Sequence, residues 1–317
     1  MTLAEAATAA TYDNRAAFAD ELIERARADE RVVAVCNDSV GSSNLVAFRQ
    51  EFPDRLINVG IAEQNMVGVG AGLAAAGLIP FVCAAGPFLT GRALEQVKAD
   101  VVYSAHNVIL CGMSPGMAYG ELGPTHHSVE DLSWLRALPG LDIVVPADRH
   151  QTRQAVRQAA ADPRPTYIRV GRYKVPDVTA PGDRLERGRF QLAREGADVT
   201  LIGAGTLVSR TLAAADLLAA DGIEARVLNA AYIAPLDVEA IRAAAQTGAI
   251  VTAEEANISG GLGAAVALTV AAQGGGPVVR TLGLSDFAPT GSTDMLLEYF
   301  GLTAPAIAAA AREALAV

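Results

Sequence analysis

The sequence is poor in cysteine. Its 317 residues include three, Cys36, Cys83 and Cys111, which lie far apart along the chain. Their spacing fits no zinc-binding or redox motif, which argues against a structural zinc domain and against a dithiol redox centre. Buried free thiols in a reducing cytoplasm are the simplest interpretation.

Positive charge is also scarce. Lys and Arg number 25 against 35 Asp and Glu, which gives a formal net charge of −10. No cluster of Lys and Arg is found, and binding to a nucleic-acid backbone requires one. We therefore expect no nucleic-acid partner, although a few well-placed arginines are enough to bind a small phosphate.

Targeting and membrane-spanning signals are lacking as well. The first 15 residues, MTLAEAATAATYDNR, have no basic region followed by an apolar core, so we expect no secretory signal and a cytoplasmic protein. Residues 64–91 carry no charged side chain and are long enough to span a membrane. Pro80 and Pro87 interrupt them, and no aromatic belt flanks them. We expect a helix, a turn and a buried strand there, and no membrane partner.

Apolar runs that alternate with helical patterns fill the rest of the chain. The composition, 51% hydrophobic and 19% charged, is sufficient for large cores. Predicted strands at 31–38, 55–59, 79–85, 107–113, 141–147 and 165–171 alternate with predicted helices at 15–29, 62–77, 91–105, 128–138 and 149–161. Strands separated by helices predict a mainly parallel sheet covered on both faces.

A second α/β pattern follows a change in composition. Residues 173–188 accumulate Pro, Gly and charge, which is typical of a linker. Predicted strands then lie at 198–204, 223–230, 249–255 and 277–284, with predicted helices at 206–222, 237–248 and 260–273. The sequence therefore predicts two consecutive α/β domains, residues 1–180 and residues 181–317.

Glu63 stands at the start of the uncharged stretch, in the first turn of a predicted helix after a predicted strand. Strand carboxyl ends and helix amino ends face the ligand crevice of an open α/β sheet. One interpretation is an acid that only complements the helix dipole. The other is a functional acid, because desolvation raises the pKa of a carboxyl group and lets it share a proton near neutrality.

The segment GMAYGELGPTHHSVED, residues 116–131, is a Gly-rich loop that ends in two adjacent histidines. A neutral imidazole at a crevice can donate, accept or move a proton; the alternative is a histidine pair that bonds only to the backbone. Adjacent histidines rarely share one metal, so we expect no metal site. Ser128 and Asp131 have the spacing of a capping box, which predicts structural roles for Glu130 and Asp131.

At this point the sequence resembles a known family. The stretches INVGIAEQNMVGVGAGLAAAG, GELGPTHHSVEDLSWLRALPGLDIVVPAD and PTYIRVGR are similar to the pyrimidine-binding domain of transketolases. Residues 197–300, with GGLG and SDFAPTGSTDMLLEYFGL running on to residue 302, resemble the transketolase C-terminal domain. The resemblance covers nearly the whole chain and implies that these two domains follow each other.

The resemblance implies thiamine diphosphate as cofactor and gives four residues a place around it. Glu63 would contact N1′ of the aminopyrimidine and, by sharing a proton with it, promote removal of the thiazolium C2 proton. Phe88 would stack on the pyrimidine, and Ile61 would contact the cofactor. His126 would face the reacting end of the substrate; His127 is a weaker candidate, because many relatives have Gln there.

Phosphate recognition by the same resemblance would use Arg15, Ser43 and Arg172. Guanidinium groups and a hydroxyl suit phosphate oxygens, but Arg15 and Arg172 are also ordinary charges for a solvated helix and a linker. Ser114 stands where relatives place a phosphate-binding histidine. Leu122 departs from the family, which usually has Asp in the motif GEDGPTH, where it meets a substrate hydroxyl. Because leucine accepts no hydrogen bond, we predict a donor or acceptor substrate that lacks this hydroxyl or carries it at a different place.

The family binds the diphosphate and Mg²⁺ through a GDG motif in a separate domain, and this sequence has no GDG. We therefore expect a partner, an N-terminal or alpha-type transketolase subunit that binds the diphosphate and Mg²⁺, in an alpha2beta2 assembly. Two alternatives stay open: a decarboxylating thiamine enzyme, such as deoxyxylulose phosphate synthase or a 2-oxo acid dehydrogenase beta subunit, and a non-catalytic assembly subunit.

Overall fold

The chain folds into two α/β units, each built on a sheet, in a computed structural model that describes residues 10–317. Residues 1–9, with most of the segment considered as a secretory signal, lie outside the described part. Fourteen strands are described, β1 to β14: Thr11–Tyr12, Val32–Cys36, Leu56–Asn58, Ile79–Ala85, Ile109–Met113, Asp142–Val144, Thr166–Val170, Val175–Pro176, Gln191–Arg194, Val199–Gly203, Ala225–Asn229, Tyr232–Ala234, Ala249–Asn257 and Val278–Leu284. The α-helices are Asn14–Ala28, Val46–Glu51, Glu63–Ala75, Leu94–Gln96, Asp131–Arg136, Arg149–Ala161, Val208–Ala220, Val238–Ala244, Leu262–Ala272, Thr293–Tyr299 and Ala304–Leu315.

The first sheet has seven strands in the order β12-β6-β7-β5-β4-β2-β3. All neighbours are parallel except β12, which runs antiparallel to β6. The strands β2, β5 and β7 are buried at every residue. Continuous burial is expected for parallel strands that are covered by helices on both faces.

The second sheet has five strands in the order β14-β13-β10-β11-β9, and β9 is its antiparallel edge. The predicted fold class, two α/β domains with mainly parallel sheets, is therefore confirmed. The sequence analysis missed both antiparallel edge strands. β12 has only three residues and β9 only four, too short for an alternating hydrophobic pattern to show.

The two units are joined through buried contacts. β12 follows β11 of the second sheet in sequence but adds to the first sheet, with Tyr232 opposite Val144. Arg169, at the end of β7, donates to the Asp131 carboxylate at 2.9 Å and to the backbone oxygen of Glu255 in β13 at 2.9 Å. Because a buried guanidinium must be fully hydrogen-bonded, these contacts fix β7 against β13.

The predicted capping box at Ser128 and Asp131 is wrong. The helix Asp131–Arg136 has no side-chain cap, and the Ser128 hydroxyl is buried without a hydrogen-bond partner in residues 10–317. Asp131 instead accepts hydrogen bonds from Arg169 and from the Tyr167 hydroxyl, the latter at 2.7 Å. A buried carboxylate needs hydrogen-bond donors or a positive charge, and here the positive charge lies 38 residues away, where local spacing cannot reveal it.

The helix predicted at 91–105 is irregular. Two π-helical segments, Phe88–Arg92 and Val97–Tyr103, flank the short α-helix Leu94–Gln96. π-Helical turns are rare and often occur at functional sites. A side chain at Gly91 would come within 2.8 Å of the Trp134 ring, so glycine lets that ring pack closely against the first π-helical segment.

None of the helices in residues 10–317 has both the length and the apolar character needed to cross a membrane.

The segment predicted as a linker is held against the first unit. β8 pairs with β1, with Val175 opposite Tyr12. The Thr179 backbone nitrogen donates to the Asp148 carboxylate, and Leu185 is buried. Residues 173–188 therefore form an ordered connection that packs against the first unit.

Candidate active site

The carboxyl edge of the first sheet gathers side chains that are far apart in sequence. The strands β2, β3, β4, β5 and β7 are parallel, so their carboxyl ends share one edge. Asn37 follows β2, Glu63 begins the helix after β3, and Phe88 follows β4. Ser114 follows β5 and Arg172 follows β7. Ligands of open α/β sheets bind at this edge.

Glu63 is buried, with 2% of its side chain exposed, and each carboxylate oxygen has a partner. The Asn37 side-chain nitrogen donates to Oε1 at 2.8 Å. The Arg92 Nη1 donates to Oε2 at 2.7 Å. The Arg92 side chain is 47% exposed and makes no other hydrogen bond within residues 10–317. One oxygen is thus held by a buried amide and the other by a long side chain at the surface.

The expectation of a raised pKa for Glu63 is wrong for the chain by itself. Burial raises the pKa of this carboxyl group, but the hydrogen bonds from Arg92 and Asn37 lower it, and the net pKa lies below its ordinary value. Hydrogen bonds and a positive charge that stabilise the ionised form outweigh partial desolvation. Glu63 is therefore ionised at neutral pH in this arrangement, with Arg92 as its positive neighbour.

A row of aromatic and basic side chains extends from Glu63. The Arg92 guanidinium lies 4.6 Å from the centre of the Phe88 ring. The Phe88 and His126 rings meet edge to face with centroids 5.3 Å apart, and the His126 and Tyr119 centroids are 6.2 Å apart. The Arg172 guanidinium lies 4.9 Å from the Tyr119 ring centre. Three predicted site residues, Phe88, His126 and Arg172, therefore belong to one continuous surface.

The two adjacent histidines have different environments. His126 is partly exposed, and its Nδ1 lies 3.0 Å from the Thr125 hydroxyl. His127 is 3% exposed, and neither ring nitrogen has a hydrogen-bond partner in residues 10–317. Burial lowers the pKa of His127, so this ring is neutral at physiological pH. Only His126 lines the row that begins at Glu63.

Ile61 lies two residues before Glu63 and is 79% exposed. An exposed isoleucine at the rim of a site offers apolar surface to whatever binds there. Its predicted contact with the cofactor stays a prediction.

Arg15 and Ser43, two of the predicted phosphate-binding residues, already have partners within the chain. Arg15 pairs with Asp13 at 2.6 Å and donates to the backbone oxygen of Ser42 at 3.1 Å. Ser43 is buried, and its hydroxyl lies 3.4 Å from that of Ser39. These residues lie beside the loop after β2. A Cβ atom on Gly171, the residue before Arg172, would come within 3.5 Å of Asn14 Nδ2, so the predicted grouping of these three residues stays a prediction. The charge of Arg15 is already partly neutralised by Asp13.

Ser114 lies at the end of β5 in a left-handed backbone conformation, with φ of 55°. Its side chain is fully buried, and its hydroxyl has no hydrogen-bond partner within residues 10–317. Its predicted contact with a substrate stays a prediction.

Leu122 and Arg172 line a cavity of about 430 Å³ at the far end of the row. Leu122 is 54% exposed, and the second unit contributes Ser292 and Thr293 to the lining. Arg172 forms no ion pair with the part of the chain that the structure describes; its guanidinium stacks on Tyr119. The lining is completed by Ala118, Tyr119, Gly120 and Glu121, so the Arg172 guanidinium shares the cavity with three hydroxyls and with the Glu121 carboxylate.

Sequence reasoning missed Asn37, Arg92 and Tyr119. Asn37 directly follows a buried strand, a position at the carboxyl edge that could have marked it. Arg92 is the first charged residue after the uncharged stretch 64–91, which is also a usable signal.

Within residues 10–317, no group of three or more His, Cys, Asp or Glu side chains is arranged to hold a metal ion.

Two successive α/β units, with a buried acid at the sheet edge of the first, are also found in a known protein family. The sequence matches the transketolase pyrimidine-binding domain over residues 10–177 and the transketolase C-terminal domain over residues 188–307. The chain therefore belongs to the transketolase family.

Relatives of similar length are transketolase subunits. The chain is 44% identical over 303 residues to an apulose-4-phosphate transketolase subunit of Phocaeicola vulgatus, covering 94% of this chain and 96% of that protein. It is 42% identical over 301 residues to the 6-deoxy-6-sulfo-D-fructose transketolase subunit SqwH of a Clostridium species, covering 94% and 93%. A solved split-gene transketolase, an inactive beta4 tetramer, superimposes with a TM-score of 0.88 at 38% identity, covering 97% and 99%. These similarities identify the chain as a transketolase-type transferase subunit.

Proposed function

We propose that the chain is the beta-type subunit of a two-subunit transketolase. This enzyme transfers a two-carbon ketol unit from a ketose or ketose phosphate to an aldehyde, with thiamine diphosphate as cofactor. The observation that supports the proposal most strongly is the buried Glu63, which lies at the sheet edge with the Phe88 and His126 rings beside it. Other buried acids of the chain, such as Asp142 and Asp237, also pair with exposed arginines, so the sheet-edge position and the neighbouring rings are what support this role.

The residues at the edge fit an aminopyrimidine. Glu63 offers a carboxyl oxygen to a ring nitrogen, Phe88 offers a flat apolar face, and Ile61 offers exposed apolar surface. Thiamine diphosphate, when bound, supplies the carbon chemistry by taking up and releasing the two-carbon unit at its thiazolium ring. The protein must then hold the pyrimidine, share a proton with it through Glu63, and exclude water.

The residues beyond Phe88 suit the substrate. His126 lies 5.3 Å from Phe88 and is partly exposed, so it can donate or accept a proton at the reacting end of the substrate. Arg172 at the cavity can pair with an anionic group at the other end, in accord with its lack of an ion pair in residues 10–317. Arg15, Ser43, Ser114 and His127 stay predictions, since each is paired or buried in this arrangement.

The partner would be an alpha-type subunit that binds the diphosphate and Mg²⁺, in an alpha2beta2 assembly. The names of the two relatives as subunits support this, as does the inactivity of the solved tetramer of beta chains. We place the complex in the cytoplasm, where the buried free thiols of Cys36, Cys83 and Cys111 stay reduced.

The test is reconstitution. The chain alone, an alpha-type subunit alone and the two together are assayed for ketol transfer from a ketose phosphate to an aldehyde, with thiamine diphosphate and Mg²⁺ present. We expect activity only from the mixture, and loss of that activity when the cofactor and metal are removed by dialysis against a chelator. Activity of this chain alone would overturn the split architecture.

Leu122 favours a second candidate, a decarboxylating thiamine enzyme, because leucine replaces the acid that meets a sugar hydroxyl in transketolases. Pyruvate and a ketose phosphate, supplied separately as donors to the mixture, distinguish the two. Turnover of pyruvate without turnover of the ketose phosphate would favour the decarboxylating enzyme.

A further inference from the structure

Arg92 occupies both of the contacts that the site offers to a pyrimidine ring. Its Nη1 binds the Glu63 oxygen at 2.7 Å, and its guanidinium plane covers the Phe88 ring at 4.6 Å. A planar cation that pairs with a carboxylate and lies over an aromatic face makes the same two kinds of contact as a protonated aminopyrimidine would. The ring and the Arg92 side chain therefore compete for one place.

The two ligands of Glu63 differ in how easily they can leave. Asn37 is 6% exposed, and its own side-chain oxygen accepts a hydrogen bond from the Ser39 backbone nitrogen at 3.1 Å. Arg92 is 47% exposed and has no further hydrogen bond within residues 10–317. Moving Asn37 would break a buried network, whereas moving Arg92 exposes a flexible side chain to water. Arg92 is the ligand that can be exchanged.

The backbone beneath Arg92 is held in place. Gly91 brings the chain against the Trp134 ring, and Thr90 donates through its hydroxyl to the backbone oxygen of Gly86 at 2.8 Å. Leu89 is fully buried. The exchange at Glu63 is therefore a rotation of the Arg92 side chain rather than a movement of the segment.

We propose that Arg92 is a positioning residue. It pairs with the Glu63 carboxylate in the cofactor-free subunit, and its side chain rotates away when the pyrimidine ring of thiamine diphosphate binds. This inference rests on the proposed function. In the free chain the guanidinium keeps the buried carboxylate paired. On loading, the ring replaces Arg92 at Phe88 and at Glu63 Oε2, and the carboxyl group is released from its positive neighbour to share a proton with the ring.

Removal of the Arg92 guanidinium should therefore strengthen cofactor binding. Arg92→Met retains the aliphatic stem but not the guanidinium, so the ring no longer has to displace a bound group. An exposed ion pair and a cation–π contact together account for an affinity gain of roughly tenfold. Arg92→Lys retains a positive charge beside Glu63 but not the planar group over Phe88, so we expect its affinity to lie between those of the wild type and Arg92→Met.

The measurement is the dissociation constant of thiamine diphosphate for the assembled two-subunit complex at fixed Mg²⁺, by equilibrium dialysis and by calorimetry. The control is Arg242→Met, which removes a comparably exposed arginine from a surface pair with Glu239 in the second unit. Near-ultraviolet circular dichroism of the bound ring reports its seating independently of activity. Tighter binding for Arg92→Met but not for Arg242→Met supports the proposal.

Equal or weaker binding by Arg92→Met, at an unchanged melting temperature, would overturn it. If that variant does not fold, a crystal structure of the loaded wild-type complex decides: an Arg92 nitrogen still in contact with Glu63 would contradict the exchange. Failure of the wild-type complex to bind thiamine diphosphate is a different result. It would reject the proposed function, and this inference with it.

Discussion

The two sheets carry buried acids at the same kind of position and use them differently. At the carboxyl edge of the first sheet, Glu63 is held by Asn37 and by a surface arginine. Towards the carboxyl end of β13 in the second sheet, Glu254 accepts hydrogen bonds from the backbone nitrogens of Leu262 and Gly263, both at 2.7 Å. Those donors belong to the start of a helix and cannot leave without unfolding it.

Glu255, the neighbour of Glu254, is also bound by the protein itself. It accepts from the Met117 backbone nitrogen at 2.6 Å and from the Thr206 hydroxyl at 3.1 Å. Burial raises the pKa of both Glu254 and Glu255, whereas the pKa of Glu63 is lowered. A perturbed pKa therefore does not identify the functional acid here, although perturbed values cluster at active sites in general. What distinguishes Glu63 from these two acids is that one of its ligands is a partly exposed side chain.

The largest expected effect is a loss of enzyme activity when Glu63, but not Glu254, is replaced by Gln. Glu63→Gln retains the shape and the contact with Asn37 but has no proton to share. We expect ketol transfer by the assembled complex to fall by about 10²- to 10⁴-fold, the range of general acid–base contributions. Steady-state turnover, with circular dichroism to verify folding, measures this.

The matched control is Glu254→Gln, which alters an equally buried acid that touches no part of the proposed site. It should leave turnover per folded molecule close to that of the wild type. Near-normal turnover of the Glu63 variant, or an equal loss in both variants, would contradict the assignment of Glu63 as the functional acid and Glu254 as a structural one.

A smaller effect concerns stability and pH. Burial raises the pKa of Glu255 in the folded chain above the value of about 4.3 for an unfolded one. Between these two pKa values the folded state binds more protons than the unfolded state, so the free energy of unfolding falls as pH rises through this window. Above the window this contribution is constant.

Glu255→Gln has no such titration, although it costs about 1 kcal/mol through a weaker acceptor. The unfolding free energy of the wild type minus that of the variant should therefore decrease as pH rises from about 4.3. Urea unfolding of both proteins between roughly pH 4 and pH 8 tests this. A difference that does not change with pH would show that Glu255 titrates as it does in the unfolded chain.

Much of the first sheet and its edge follows from local sequence. The buried strands and the helix Arg149–Ala161, whose bounds match the prediction, have periodic apolar patterns that do not depend on distant contacts. The pairing of Arg92 with Glu63 spans 29 residues, and that of Asp131 with Arg169 spans 38. Such contacts decide which acid is ionised and which caps a helix, and no local pattern encodes them. The expected raised pKa and the expected capping box were wrong for this reason.

The smallest expected effect lies at the far end of the row, where Leu122 is exposed on the cavity that both units line. Leucine leaves a substrate hydroxyl without a partner, so the wild type should prefer aldehydes that lack an α-hydroxyl group. Leu122→Asp restores an acceptor and should shift the ratio of kcat/KM for α-hydroxylated over deoxy aldehydes by about tenfold towards the hydroxylated ones. Leu122→Asn separates hydrogen bonding from charge, since it also accepts a hydrogen bond but is neutral beside Glu121. A wild-type enzyme that already prefers α-hydroxylated aldehydes, or an unchanged kcat/KM ratio in both variants, would show that residue 122 does not determine selectivity for the α-hydroxyl group.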